Sequence, residues 1–238
     1  MSNFPRYAIY FAPATGAALA RFGAEHLGYD AWTGEDVAFP AATFGTIPDW
    51  RDLSSDPRKY GFHATLKAPF GLAEGIGESE IRIACAAFAA TPRAIPMIRP
   101  IVDAISGFIA VIPADTTAEL LALAADCVSA FEPFRAAMTP EDRARRNPER
   151  LPPRQVDYLD RWGYPYVMDE FRFHMTLTGR LEPERREGVL AVLRERFAAL
   201  RLEWLAIDRI ALFRQSDPTA RFRIVDFWPL AGNSSVPS

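Results

Sequence analysis

Several features that mark familiar classes of protein are scarce or missing in this sequence. The 238 residues contain only two cysteines, Cys85 and Cys127, and both lie in apolar stretches. Two isolated cysteines of this kind indicate buried thiols in a reducing cytosol rather than a disulfide framework. No spacing of cysteine and histidine matches a zinc site, so we expect neither a metal nor another cofactor.

Long apolar runs and a strong charge of one sign are also missing. No apolar run approaches the roughly 20 residues of a membrane span, and the opening residues lack the basic and apolar regions of a signal peptide. The net charge is only −3, which gives no global attraction for long nucleic acid. We therefore expect a cytoplasmic protein with no membrane and no obligatory protein partner. Its expected ligand is a small molecule or a short oligonucleotide.

Histidine is rare too, and its scarcity makes its pattern informative. Two of the three histidines, His63 and His174, lie in the matching runs Phe-His-Ala-Thr-Leu and Phe-His-Met-Thr-Leu. Threonine is 12 of 238 residues, so a threonine two places after a given histidine is expected in about one case in twenty. The repeated pattern therefore predicts two copies of one functional motif. His26 lies near a predicted helix end, where a structural role is expected.

Both motifs have the alternation of β-strands. In the first, His63 and Thr65 share one face of the strand, while their neighbours face a core. In the second, His174 and Thr176 do the same. One neutral histidine can take a proton from an attacking oxygen while a second, protonated one gives a proton to the leaving oxygen of a phosphodiester. The threonine hydroxyls would bind the non-bridging phosphate oxygens, where charge develops.

Other residues are candidates by their position relative to the motifs. Lys67 has the parity of the first motif and Arg172 that of the second, so each is predicted to bring a cation to the phosphate. Three more lie at the ends of strands expected to neighbour a motif: Tyr10, Arg214 and Gln215. Tyr60 lies beside the first motif but has the opposite parity in a regular strand, so it is a weaker candidate. An Arg-rich helix predicted to start at residue 140 is assigned to a solvated face, with contact to an anionic ligand as the alternative.

The order of predicted elements repeats along the chain. Each motif strand is followed by a helix and then two strands, within residues 60–112 and again within residues 170–227. This order predicts an α+β fold in which residues 1–238 form one bilobal domain, with antiparallel sheets lining a central groove and helices outside. The lobes would carry the motifs at residues 60–70 and 170–180. The small polar tail, residues 231–238, is predicted to be disordered.

The paired His-x-Thr motifs resemble those of the two-histidine (2H) phosphoesterase superfamily, which includes 2′,5′-RNA ligase-like proteins and cyclic nucleotide phosphodiesterases. Residues 58–70, Arg-Lys-Tyr-Gly-Phe-His-Ala-Thr-Leu-Lys-Ala-Pro-Phe, resemble a bacterial branch associated with phosphonate metabolism, as do residues 6–13. The resemblance implies two lobes that each bring one motif to a groove. It also implies action on cyclic phosphates or on 2′,5′-linked RNA.

The sequence thus favours a metal-independent phosphoesterase that hydrolyses a cyclic phosphodiester of a nucleotide or ribose phosphate. Three alternatives stand beside it. RNA end joining or processing would need a positively charged surface beyond the groove, and the net charge of −3 does not favour one. A non-catalytic nucleotide-binding protein would use the same groove, and a metal site would need acidic or thiol ligands that do not stand at ligand spacing. The sequence does not assign the roles of base and acid to His63 and His174.

Overall fold

A computed structural model describes residues 4–233, with eleven strands in that part of the chain. The strands are β1 (Arg6–Phe11), β2 (Tyr29–Asp30), β3 (Glu35–Asp36), β4 (Ala64–Gly71), β5 (Met97–Ile98), β6 (Pro100–Ile105), β7 (Phe108–Pro113), β8 (Met175–Thr176), β9 (Leu205–Ala206), β10 (Arg209–Gln215) and β11 (Arg223–Pro229). The α-helices are α1 (Ala18–Leu27), α2 (Ala41–Thr46), α3 (Trp50–Leu53), α4 (Ser55–Arg58), α5 (Glu78–Ala90), α6 (Ala118–Ala130), α7 (Pro140–Ala144), α8 (Pro153–Trp162) and α9 (Pro183–Ala198).

Seven of these strands form one sheet in the order β11-β10-β1-β4-β8-β7-β6, and every neighbouring pair is antiparallel. Two small ladders, β2 with β3 and β5 with β9, stand apart from it. The combination of a large antiparallel sheet with separate helices confirms the predicted α+β class.

The repeated order of elements is present, but the two repeats exchange their hairpins. The first runs β4-α5-β6-β7 and the second β8-α9-β10-β11. Strand β7 pairs with β8, whereas β10 reaches β4 through β1. Each half of the sheet therefore joins the motif strand of one repeat to the hairpin of the other. As a result the halves meet edge to edge in one sheet, with the two motif strands adjacent at its centre.

The two faces of the sheet have different roles. Strand β1 alternates regularly, so that Ile9 packs into a large core while Tyr10 lies in a small apolar cluster on the opposite face. Helices α1, α5, α6 and α9 all contribute buried side chains to the large core. This core also holds Cys85 and Cys127, which are free and buried as predicted. The opposite face carries the motif histidines.

Strand β4 contains two irregularities that matter for the site. Thr65 pairs with Tyr10 and Lys67 with Ile9, so Leu66 is an extra residue between them. A second shift lies opposite Ala8 and includes Pro69. Proline is usually found at strand ends or bulges, and here β4 continues past it to Gly71, because a bulge leaves a residue unpaired and so tolerates a missing N–H.

The long segment before the first motif begins on the site face, where Tyr29 and Ala31 are buried in the small cluster, and then enters the large core at Ile47 and Trp50. Residues 29–58 are rich in proline, glycine, aspartate and threonine, and they form only β2, β3 and the short helices α2, α3 and α4. The Tyr29 hydroxyl donates to the Phe222 carbonyl at 2.8 Å, and the Ile224 amide donates to the Ala31 carbonyl at 2.9 Å. These bonds fix residues 29–31 against the end of the sheet at β11.

Two segments differ from the structure that their composition suggests. Pro152, Pro153 and Gly163 are residues typical of loops, yet residues 153–162 form α8, since proline at the first position favours a helix start and Gly163 ends it in the left-handed conformation. The predicted disordered tail begins too early, because Ala231 and Asn233 form backbone hydrogen bonds with Ala89 and Arg93. The rest of that tail, 234–238, lies outside the described residues.

Candidate active site

The two motifs meet at the junction of the sheet halves. Ala64 pairs with Met175, the residue after each histidine. Continuing this antiparallel register sets His63 opposite Thr176 and Thr65 opposite His174 on one face. Directly opposed Cβ atoms lie about 4.5–5.5 Å apart and diagonal neighbours about 7–8 Å. The imidazoles are therefore diagonal neighbours, and charge on His174 acts on His63.

Each imidazole is held by a backbone carbonyl two residues earlier. His63 Nδ1 lies 2.8 Å from the Gly61 oxygen, and His174 Nδ1 lies 2.7 Å from the Arg172 oxygen. A carbonyl can only accept, so each Nδ1 must carry the proton, and the neutral ring keeps its lone pair on Nε2. The same tautomer is thus imposed at both sites, with Nε2 left to exchange a proton with a ligand.

Gly61 is required by this geometry. Its φ of +75° lies in the left-handed region, and an added Cβ would stand 2.6 Å from the Cβ of Ala31. The turn at Gly61 also breaks the strand alternation before the motif. Tyr60, which the sequence placed on the opposite face, therefore lies with its ring centroid 6.1 Å from that of His63.

His63 lies among aromatic rings. Its ring stacks on Tyr10 with centroids 3.8 Å apart and planes 20° from parallel, and Phe213 lies at 5.8 Å. Removal from water lowers the pKa of His63 to about 4, although its hydrogen bond to Gly61 acts in the opposite direction. His63 is therefore neutral at pH 7 and has its Nε2 lone pair available. The Thr65 hydroxyl lies 3.3 Å from this Nε2.

His174 has a more open environment. Its ring contact is with Phe108, at a centroid distance of 5.5 Å and an angle of 56°. Burial also lowers the pKa of His174, against the opposing effect of the Arg172 carbonyl. Thr176 beside it is partly exposed, and its hydroxyl forms no hydrogen bond within residues 4–233. This hydroxyl is therefore available to a ligand.

Lys67 does not reach the site, contrary to the sequence prediction. The bulge at Leu66 resets the alternation, so Lys67 shares the core face with its partner Ile9. The side chain is 3% exposed, and its amine lies 2.7 Å from Glu132 and 2.9 Å from the Val128 carbonyl that it donates to. The amine is therefore paired inside the protein, where its bonds to Glu132 and Val128 connect β4 to the end of α6.

The remaining candidates divide between the two faces. Arg214 pairs with Tyr7 on the core face and lies 3.5 Å from Glu78, so its predicted place beside the motifs is wrong. Gln215 is on the site face but accepts a hydrogen bond from Arg6 instead of meeting the histidines. Arg172 supplies its carbonyl to His174, and its exposed guanidinium makes no bond with any described residue.

Sequence reasoning missed Arg6. It precedes Tyr10 by four residues in β1, and a period of two places both side chains on the site face. Its guanidinium lies over the Phe222 ring at 5.6 Å. The alternation of β1 predicts that Arg6 and Tyr10 share a face. That face can be assigned to the site only once β1 is known to pair with the first motif strand.

The described residues contain no cluster of metal ligands beside the motifs. Within residues 4–233 no three side chains of His, Cys, Asp or Glu are grouped as metal ligands. In the same range no helix has both the length and the apolar composition to cross a membrane. A cavity of about 240 Å³ lies elsewhere, between the start of α1 and β9, and none of the motif residues lines it.

Comparison with known proteins places the chain in a family. Residues 65–223, more than half of the chain, match the family described as "Protein of unknown function (DUF1045)". The chain is 36% identical over 230 residues to a protein of Janthinobacterium sp. (strain Marseille) named ribose 1,5-bisphosphate phosphokinase PhnN, covering 92% of this chain and 49% of that protein. A protein of the same name from Laribacter hongkongensis (strain HLHK9) is 31% identical over 242 residues, covering 97% and 54%.

The chain thus spans about half the length of the curated relatives it matches. Among solved structures, E. coli LigT complexed with 3′-AMP is similar with 12% identity and a TM-score of 0.40, covering 96% of this chain and 99% of that one. LigT complexed with NADP+ gives the same identity and TM-score. The family match covers β8 and the second motif in full, and on that ground the chain belongs to the DUF1045 family.

Proposed function

We propose that the chain is a metal-independent phosphoesterase that hydrolyses a cyclic phosphodiester of a nucleotide or ribose phosphate. The observation that carries this proposal is the pair of imidazoles, His63 and His174, on one face of adjacent strands. Each has Nδ1 fixed by a carbonyl and Nε2 available. Hydrolysis of a phosphodiester needs one base and one acid on opposite sides of phosphorus, and this arrangement supplies both.

The different surroundings of the two rings support a division of labour. His63, with its pKa lowered to about 4 by burial, is neutral and takes a proton from water through Nε2. The water oxygen then bonds to phosphorus as the bond to the leaving sugar oxygen breaks. His174, which is less enclosed, gives its Nε2 proton to that oxygen. Exchange with solvent returns both rings to their starting states.

The threonines would stabilise the charge that develops on the phosphate. Thr65 lies opposite His174 and Thr176 opposite His63, so the two hydroxyls flank the space between the rings. Hydroxyl donors directed at non-bridging oxygens lower the barrier because those oxygens gain charge in the transition state.

The named relatives support a phosphorylated ribose as the substrate class without supplying the activity. Their name describes a kinase of ribose 1,5-bisphosphate, and this chain spans about half of each. The phosphate-binding signature G-x-x-x-x-G-K-[ST] is absent here, since the two lysines, Lys59 and Lys67, follow arginine and leucine. The kinase chemistry therefore is not transferred. RNA end processing and non-catalytic nucleotide binding remain the competing functions, and cytoplasmic location stays a prediction.

A panel of cyclic phosphates tests the proposal. Wild-type protein and the variants His63→Ala and His174→Ala are incubated with 2′,3′-cyclic nucleotides, cyclic ribose phosphates and a 2′,5′-linked dinucleotide, with and without EDTA. Hydrolysis by wild type that survives EDTA and disappears in both variants is expected. A wild-type protein that binds these compounds but cleaves none would indicate the binding function, and joining or cleavage of the 2′,5′ linkage alone would indicate RNA processing.

A further inference from the structure

Arg6 stands on the site face in an unusual setting for a cation. It is partly buried, and its guanidinium lies over the rings of Phe4 and Phe222, 5.2 and 5.6 Å from their centroids. Its Nε and Nη2 both donate to the Gln215 Oε1, at 2.9 and 2.5 Å. Gln215 is fixed in turn, because its Nε2 donates to the Ala220 carbonyl at 2.7 Å. The guanidinium is therefore held in place by neutral groups.

No carboxylate in residues 4–233 forms an ion pair with Arg6, although twelve other arginines have one. Burying a cation without a counter-charge is unfavourable. Burial lowers the pKa of Arg6. Tyr60 and Tyr10 act to raise it, and Arg146 and Arg145 add smaller effects that lower it. Arg146 lies over the Tyr164 ring at 5.2 Å and also lacks an ion pair within the described range.

A cluster of aromatic rings connects this cationic group to His63. The Phe222 ring beneath Arg6 stacks on Tyr60 at 5.3 Å and lies 6.4 Å from Tyr10. Both tyrosines contact the His63 ring, at 6.1 and 3.8 Å. Along β1, four residues separate Arg6 from Tyr10, or about 13 Å between their Cα atoms, and the arginine side chain can span part of that distance. The separation fits the two ends of a sugar phosphate.

We propose that Arg6 and Arg146 form a second subsite that binds a phosphomonoester group of the substrate, at the far end of its sugar from the cyclic phosphate. This rests on the proposed function, since the histidines would act on the cyclic ester. The N–H groups that Arg6 does not use on Gln215 can donate to phosphate oxygens, and two cations balance the two charges of a phosphomonoester. The partly exposed Tyr60 ring, which stacks on the buried Phe222 ring, would pack against the sugar between the two groups. The substrate class is then a cyclic phosphodiester that also carries a terminal phosphate.

A matched pair of substrates tests the subsite. Adenosine 2′,3′-cyclic phosphate and its 5′-phosphorylated analogue differ only in the group that the subsite would bind. Wild type is expected to favour the phosphorylated member by about tenfold or more in kcat/KM, the effect of one charge-assisted hydrogen bond. Arg6→Gln and Arg146→Gln are each expected to lower kcat/KM far more for the 5′-phosphorylated substrate than for the unphosphorylated one. Arg6→Lys should retain an intermediate preference, because it keeps the charge without the guanidinium N–H groups.

Arg150→Gln is the matched control. Arg150 is exposed on the same segment as Arg146 but is not among the charges that act on Arg6, so this variant should keep the wild-type preference. Equal kcat/KM of wild type for both substrates, or equal losses on both in Arg6→Gln and Arg146→Gln, would overturn the subsite. Because Arg146 is exposed, its variant tests the proposal even where Arg6→Gln fails to fold.

A binding measurement separates failure of the subsite from failure of the proposed function. Ribose 5-phosphate and ribose are titrated by calorimetry into wild type, His174→Ala and Arg146→Gln. The subsite predicts that the phosphate strengthens binding in the first two proteins and not in the third. If wild type hydrolyses neither cyclic substrate, the proposed phosphoesterase activity is rejected. The titration still tests the phosphate subsite in that case. No gain from the phosphate in wild type would reject the subsite alone.

Discussion

Tyr10 and His63 stack face to face, with ring centroids 3.8 Å apart, and this contact explains much of the difference between the two histidines. The tyrosine is 1% exposed and comes from β1, which pairs with the first motif strand. A stacked ring excludes water from one face of the imidazole and so disfavours its charged form. His174 has no comparable stacked partner among the described residues, its ring contact with Phe108 being tilted.

Replacing Tyr10 should therefore change the titration of His63. Tyr10→Leu opens one face of the imidazole to water, so its pKa should rise from about 4 toward the ordinary value. The acidic limb of the kcat/KM profile should move to higher pH by the same amount, because that limb reports the base of the free enzyme. Tyr10→Phe keeps the ring and should leave the limb near its wild-type position. An unmoved limb in Tyr10→Leu would show that His63 is not the base.

The pH optimum of kcat/KM should lie on the acidic side of 6.5. Burial lowers the pKa of His63 to about 4 and also lowers that of His174. Activity requires His63 deprotonated and His174 protonated, so the rate rises through the first pKa and falls through the second. The kcat profile should lie at higher pH, because a bound phosphate anion favours imidazolium. Rate measurements from pH 4 to 9 check this, and a kcat/KM maximum above pH 7.5 would falsify the assignment.

The two threonines should matter mainly in the transition state. Thr65→Val and Thr176→Val each remove a hydroxyl with little change in shape. We expect each to lower kcat by about 10²-fold, the typical effect of removing one donor to a developing oxyanion, with KM changing less. Steady-state kinetics on the best substrate of the panel measure this. Thr178→Val is the control for a buried threonine off the site, since the Thr178 hydroxyl accepts from the Ile109 amide at 3.0 Å.

Lys67 should contribute to stability and not to catalysis. Lys67→Met removes an amine that is bonded to Glu132 and to the Val128 carbonyl. The change should lower the free energy of unfolding by about 1–3 kcal/mol, the cost of leaving a buried acceptor unpaired, while Arg135 continues to neutralise Glu132. Urea denaturation and kcat at a temperature where both proteins are folded separate the two effects. A loss of kcat beyond tenfold with unchanged stability would restore Lys67 to the phosphate site.

The pairing of Lys67, Glu132 and Arg135 also makes stability depend on acid. Burial acts to raise the pKa of Glu132, but hydrogen bonds from Arg135 and Lys67 outweigh it and hold that pKa below its usual value. A carboxyl with a lowered folded-state pKa stabilises the protein above its unfolded pKa, and this contribution is lost as pH falls through the folded value. Lys67→Met should therefore weaken the fall in stability below about pH 4.5. An identical acid dependence in both proteins would contradict this.

Where sequence reasoning failed, a local irregularity or a distant neighbour was the cause. Parity counted from His63 placed Lys67 in the site, and one extra residue at Leu66 reversed that result. Parity placed Tyr60 away from the site, and the turn at Gly61 brought it back. A bulge or a left-handed turn changes the face of every residue beyond it, and neither is visible in hydrophobic alternation alone.

The sequence alone determined the chemical groups and the order of elements. Two His-x-Thr motifs, each followed by a helix and two strands, were readable because strand alternation and helix signals are local. Only the tertiary structure decided that the repeats exchange hairpins, that β4 and β8 are neighbours, and that Tyr10 encloses His63 while Arg6 stands unpaired beyond it. Those relationships join residues more than 50 positions apart, and strand pairing over such separations is set by packing of the whole chain rather than by any local pattern.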